Sequence, residues 1–149
     1  MSQFRISVMT ALLVVVLAGC TQEEPGEMAQ AVDAGTRTLE QRVARGEKLY
    51  AAHCAACHQA SGHGLAGAFP PLAGADYLQA GPAAVVNVIL NGLSGPIVVN
   101  GKEYNSVMPN LSYLNDSDVA DVVTFVMNSW GNPGGEVSPA EVSAARKGN

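Results

Sequence analysis

The sequence predicts a small all-α domain of about four helices with one short β-hairpin. Apolar residues recur at helical spacing in separate stretches, most clearly between 119 and 130. Proline and capping signals mark several helix starts, and an Asn-Gly pair stands between two short β-prone runs. At 149 residues the chain suits one domain and is short for two. Aromatic residues are only 5% of it, so side chains alone build a modest core. A buried planar cofactor would add the apolar surface they lack.

Residues 1–19 read as an export signal. Arg5 and the terminal amine form a positive start, and Ile6 to Leu17 is an apolar run too short to span a bilayer. It closes on Leu17-Ala18-Gly19-Cys20, which resembles a bacterial lipobox and implies cleavage before Cys20 with lipidation of that residue. Thr21, where Asp could stand, resembles the pattern sorted to the outer membrane, so the expectation is the periplasmic face of a bacterial membrane. Residues 20–36 are acidic, contain Pro and Gly, and show no apolar periodicity; they read as a flexible tether, with Met28 an ordinary part of it. A coil of this length reaches roughly 20–24 Å on average. The domain proper is residues 37–149.

A first helix is expected over about 38–56. Leu39, Val43, Gly46, Leu49 and Tyr50 share one face, with Glu40, Arg42, Arg45, Glu47 and Lys48 on the others. Gly46 costs about 1 kcal/mol against Ala inside a helix, which points to another helix passing close by. Residues 59–82, rich in Gly around Pro70-Pro71, read as loop. Pro82 fits the first turn of a second helix that stops near Gly92. Ile97-Val98-Val99 and Lys102-Glu103-Tyr104 flank Asn100-Gly101, a hairpin with a two-residue turn. A third helix starts from Asn115 as N-cap and carries Val119, Val122, Val123, Val126 and Trp130 on its stripe, with Phe125 beside it, to a stop at Gly131. A last helix opens on Ser138-Pro139-Ala140-Glu141, a capping box with Pro at its first position.

Chemistry concentrates in Cys54-Ala55-Ala56-Cys57-His58, the C-x-x-C-H signature of covalent haem attachment. Two thiols one helical turn apart reach two vinyl groups on one porphyrin edge, and the next residue sets an imidazole under the iron. Three rival readings fit less well. A redox pair of cysteines wants a βαβ setting, a zinc site wants a second ligand pair, and a disulfide is strained at this spacing. With Cys20 lipidated and Cys54 and Cys57 on haem, no cysteine is left over.

The opposite face of the iron wants a ligand far along the chain. Met108 is the best candidate, because Pro109 biases it toward extended loop backbone. Met127 falls in the third helix and reads as core. His63 follows His58 too closely to reach the other face, His53 reads as solvent-facing, and Lys102 sits at a hairpin tip. The second nitrogen of His58 needs a fixed partner, and the Pro70 carbonyl is preferred. A net charge of −5 argues against a nucleic-acid partner.

These residues bring a family into view. The stretches CAACHQASGHGLAGAFPPLAG (54–74), NGLSGPIVVNGKEYNSVMPNL (91–111) and TFVMNSWGNPGGEVSPAEV (124–142) resemble class I cytochrome c domains, most of all those tethered to copper-containing nitrite reductases. The resemblance implies a cytochrome c fold around one haem c, ligated by His58 and Met108, and electron transfer with no catalytic residue. It also implies that the first and third helices cross near the porphyrin, where Gly46 and Tyr50 meet Phe125. This sequence holds no copper domain and shows its own lipidation signal instead. A monomeric, membrane-tethered carrier is therefore expected, with a nitrite reductase, a terminal oxidase or a dehydrogenase donor as partner. A haem enzyme or gas sensor with an open distal site, and a thiol–disulfide oxidoreductase, are the alternatives. Asn105 and Ser106 are candidates to hydrogen-bond near the Met108 sulfur, and Ala66, Ala68 and Phe69 to form a docking patch.

Overall fold

Thr38 starts the first helix with a capping box. The structure, a computed structural model, describes residues 36–148; the expected signal 1–19, Cys20 and the expected tether as far as residue 35 lie outside these. Gln41 N donates to Thr38 Oγ1 at 3.3 Å and Thr38 N to Gln41 Oε1 at 2.9 Å, which launches α1 (Leu39–His53). The expected single helix to 56 is interrupted at Cys54, whose N–H closes α1 on Tyr50 O at 2.8 Å. Its carbonyl then accepts from Cys57 N and His58 N, making a separate single turn, α2 (Ala55–His58).

The segment 59–82 is mostly loop, but Asp76–Ala80 forms a 3₁₀ turn that buries Leu78. Asp76 and Asn100 exchange backbone-to-side-chain bonds of 2.9 and 2.8 Å, which tie this turn to the hairpin. α3 (Pro82–Asn91) begins with proline and ends at Gly92, as its sequence predicts. β1 (Ile97–Val99) and β2 (Lys102–Tyr104) pair antiparallel, with Val99 opposite Lys102. Both turn residues have positive φ, 50° at Asn100 and 73° at Gly101, as a type I′ turn requires.

α4 (Asp116–Met127) is capped by Asn115, whose Oδ1 accepts from Asp118 N at 2.9 Å. Every residue from Val119 to Met127 is buried, so α4 is the central helix, packed against α1, α3 and α5 (Pro139–Lys147). It stops short of the expected Gly131. Asn128 Nδ2 takes the Thr124 carbonyl, Ser129 Oγ that of Phe125 and Asn132 Nδ2 that of Val126, so side chains satisfy the helix end. Trp130 therefore leaves the helix at φ 51° and folds back onto Tyr50 and Phe125, with ring centroids 5.2 Å from each.

The α1–α4 crossing explains Gly46. A Cβ there would overlap the Asp121 carbonyl oxygen and stand 2.6 Å from Phe125 Cβ. Tyr50 and Phe125 meet one turn along, at 5.4 Å between centroids. Arg42, expected on a polar face, is buried instead at the same crossing. Its Nε donates to Asp121 Oδ1 at 3.1 Å and its guanidinium also reaches Val137 O. Asp121 is fully buried and also receives Arg37 and Arg45, each at 2.8 Å. Among the described residues no helix is long and apolar enough to cross a membrane.

Candidate haem site

The single turn of α2 brings Cys54, Cys57 and His58 to one place. Gln59 ends it with φ 61°, a left-handed conformation held by Tyr50 OH donating to Gln59 O at 2.6 Å. The loop then doubles back: Gly64 N donates to His58 O at 2.9 Å, and Leu65 pairs with Phe69. A side chain at Gly64 would collide with the Phe69 and Pro70 carbonyls, so this glycine lets the loop close over the motif. The result is that His58 Nδ1 lies 3.0 Å from Pro70 O. A carbonyl only accepts, so Nδ1 carries the proton and Nε2 keeps its lone pair for another partner. Burial lowers the His58 pKa and so favours the neutral imidazole, opposed in part by the Pro70 bond.

His58 and Met108 share the walls of two adjoining clefts, with Pro70, Leu93 and Ile97 also common to both. Cys54 lines the first cleft and Cys57 the second. The first cleft, counting the open solvent at its mouth, spans about 690 Å³. Leu72, Leu78, Val85, Ile89, Val122 and Val126 make its walls apolar. A flat, apolar group attached at one edge and held through nitrogen and thioether sulfur fits this arrangement. An imidazole and a soft sulfur together are a donor pair that would suit the iron of a porphyrin.

Met108 is half-buried and fixed by backbone: its N–H donates to Leu93 O and its carbonyl accepts from Leu93 N, both at 2.9 Å. Met127 is fully buried in the core. His53, His63 and Lys102 are exposed, and His53 Nδ1 lies 3.3 Å from Tyr113 OH. Cys54 and Cys57 are not disulfide-bonded. Burial first, and then the charge of Cys57, push the Cys54 thiol up to about 11. A thiol–disulfide exchanger needs the opposite shift. Among the described residues no three or more His, Cys, Asp and Glu side chains gather as a group that could hold a metal ion directly.

Some expectations change. Ser106 Oγ donates to Ala68 O at 2.6 Å, so its proton is spent bridging the two loops, and Asn105 is exposed. In the docking patch Ala66 is exposed, whereas Ala68 and Phe69 are half-buried. The large exposed apolar residues here are Leu65 and Val107, at 53% and 68%, which sequence reasoning passed over. Val107 could have been noticed as an apolar residue beside Met108 in a polar stretch. Leu93 and Tyr104, which line the second cleft, gave no local signal because the fold places them there.

The family description "Cytochrome c" matches residues 43–130. Over 93 residues the chain is 44% identical to cytochrome c-552 of Thermus thermophilus, covering 60% of this chain and 70% of that protein. It is 39% identical over 105 residues to the cytochrome c subunit of a quinone alcohol dehydrogenase from Gluconacetobacter polyoxogenes. It is 35% identical over 109 residues to the cytochrome c subunit of gluconate 2-dehydrogenase from Pantoea cypripedii. These two matches cover 68% of this chain but only 22% and 24% of the respective subunits. With a mostly helical fold, an apolar cleft beside C-x-x-C-H and a family match over more than half its length, the chain belongs to the cytochrome c family, as a monohaem electron carrier with one covalent haem c.

Proposed function

We propose that this chain is a membrane-tethered cytochrome passing single electrons between redox proteins. Cys54 and Cys57 are the thioether attachment points, and His58 and Met108 the axial ligands. The observation that carries this reading is the placement of His58 and Met108 in the walls of the same two clefts, with one cysteine at each. Bound there, haem supplies a one-electron iron couple in apolar surroundings. The Pro70 carbonyl orients the His58 ring and holds its tautomer. Met108 offers a thioether from a backbone bonded on both sides to Leu93. With His58 and Met108 both holding the iron, the protein would leave no open site on it for a substrate or a gas.

Met108→Ala and Met108→His holoproteins test the ligation. The ferric wild type should show the weak long-wavelength band of thioether-ligated haem, and both variants should lose it. Met108→His should also lower the reduction potential, by part of the roughly 0.8 V range that axial ligands set. A spectrum unchanged in Met108→Ala removes Met108 from the iron.

The tether reading rests on Leu17-Ala18-Gly19-Cys20 after a short apolar run, with Cys20 as the lipidated residue and the outer membrane as the sorted destination. Palmitate labelling in a bacterial host should mark the wild type and not Cys20→Ser; an unlabelled wild type rejects it. Among partners, similarity to the cytochrome c subunits of a quinone alcohol dehydrogenase and of gluconate 2-dehydrogenase favours a dehydrogenase as electron donor, with a terminal oxidase or copper nitrite reductase as acceptor. Rapid mixing with a reduced dehydrogenase should reduce the protein in a bimolecular phase, and the absence of that phase removes this donor.

A further inference from the structure

Gly92 ends α3 with φ 76° and ψ −176°, backbone essentially open to glycine alone. A Cβ at this position would stand 2.7 Å from Met108 O and 3.0 Å from Asn110 N. Both are backbone atoms, so no rotamer relieves the overlap and the 108–110 backbone must move. That segment is also bonded along the end of α3. Leu93 N meets Met108 O and Met108 N meets Leu93 O, each at 2.9 Å, and Leu111 N donates to Ile89 O at 2.8 Å. The last bond occupies a carbonyl that the helix end leaves open.

We infer that Gly92 is a positioning residue for Met108: the end of α3 and the 108–111 segment form a backbone clamp that sets where the thioether reaches, and the clamp closes only on a residue without Cβ. The inference rests on Met108 as an iron ligand. A methionine side chain has three rotatable bonds and weak orientation of its own. Its placement therefore depends on the backbone that carries it, and here that backbone is bonded at both its N–H and its carbonyl. The close approach distinguishes Gly92 from ordinary turn glycines. Gly81, at the other end of α3, has nearly the same backbone, φ 87° and ψ 172°, yet a Cβ there meets nothing within 4 Å. Alanine at Gly81 reports backbone strain alone, and alanine at Gly92 adds displacement of Met108.

Holoprotein carrying Gly92→Ala, Gly81→Ala or Met108→Ala decides the matter, with imidazole as the probe. Imidazole reaches ferric iron only when Met108 is off, so its apparent affinity scales with the Met-off fraction. Gly92→Ala should bind imidazole at least about tenfold tighter than Gly81→Ala. It should also weaken the thioether band and lower the potential, with haem still attached and helical circular dichroism retained. Equal imidazole affinity and equal potential in the two glycine variants overturn the clamp. If Met108→Ala leaves the wild-type spectrum and imidazole affinity unchanged, the ligation reading and the clamp both fall. If Met108→Ala alters them and Gly92→Ala does not, only the clamp falls. Should Gly92→Ala not accumulate, hydrogen exchange of the wild-type holoprotein decides: a Met108 amide as protected as those of α3 supports the clamp, and one exchanging like an exposed loop overturns it.

Discussion

Gly46 sets how closely α1 can lie on α4. A methyl group at this position gains helix propensity worth about 1 kcal/mol. Against that gain stands an overlap with the Asp121 carbonyl and a 2.6 Å approach to Phe125 Cβ, both on a buried helix. Overpacking of this kind costs about 1–3 kcal/mol, so the loss wins. Gly46→Ala should therefore lower the urea midpoint of the holoprotein despite being the better helix former. A raised midpoint would mean that the helices separate without cost. His58 shows the complementary case, a residue whose neighbour matters as much as its own chemistry. Its motif named it from sequence, but the proton on Nδ1 follows from a carbonyl twelve residues away that the glycine loop brings within 3.0 Å.

At the scale of elements, the α1–α4 pair is held by charge as well as packing. Asp121 is fully buried and accepts from Arg37, Arg42 and Arg45, while Arg45 also meets Asp118. Removing one partner of such a network leaves buried charge uncompensated, at about 3–5 kcal/mol. Asp121→Asn should show that loss in equilibrium denaturation. Glu136→Gln should lie near zero, because Glu136 is 50% exposed where it meets Arg42, and solvent screens such a pair. Equal effects in the two variants would mean that burial of Asp121 carries no weight. The periodicity of α1 placed Arg42 on a polar face because pattern reading assigns charge to solvent. Only groups far away in sequence, Asp121 on α4 and the Val137 carbonyl, make a buried arginine satisfactory.

For the whole molecule, the core is built around a gap. Ile89, Val122 and Val126 are buried side chains of α3 and α4, yet they also wall the first cleft. With haem absent, these surfaces have nothing opposite them. A Cys54→Ser/Cys57→Ser chain produced without haem should keep part of its helical signal, lose near-ultraviolet circular dichroism and unfold over a broad range. Adding haem should sharpen the transition, since a ligand bound only by the native state stabilises it. A sharp transition and native near-ultraviolet signal in the haem-free chain would show that the core stands without the cofactor.

Local chemistry determined much of this protein by itself. The Asn-Gly turn, the Pro82 and Ser138-Pro139 starts, the Asn115 cap and Cys54-Ala55-Ala56-Cys57-His58 act over neighbouring residues, so the sequence reveals them directly. Even the cost of Gly46 was legible, because a helix tolerates it only for a reason. Tertiary structure alone decided the rest: that Asp121 would bury Arg42, that Trp130 would leave its helix, that Ser106 would bridge to Ala68, and that Gly92 would meet Met108. Each depends on atoms distant in sequence, brought together by helices packing around an apolar cleft. No pattern within a single segment encodes such a meeting.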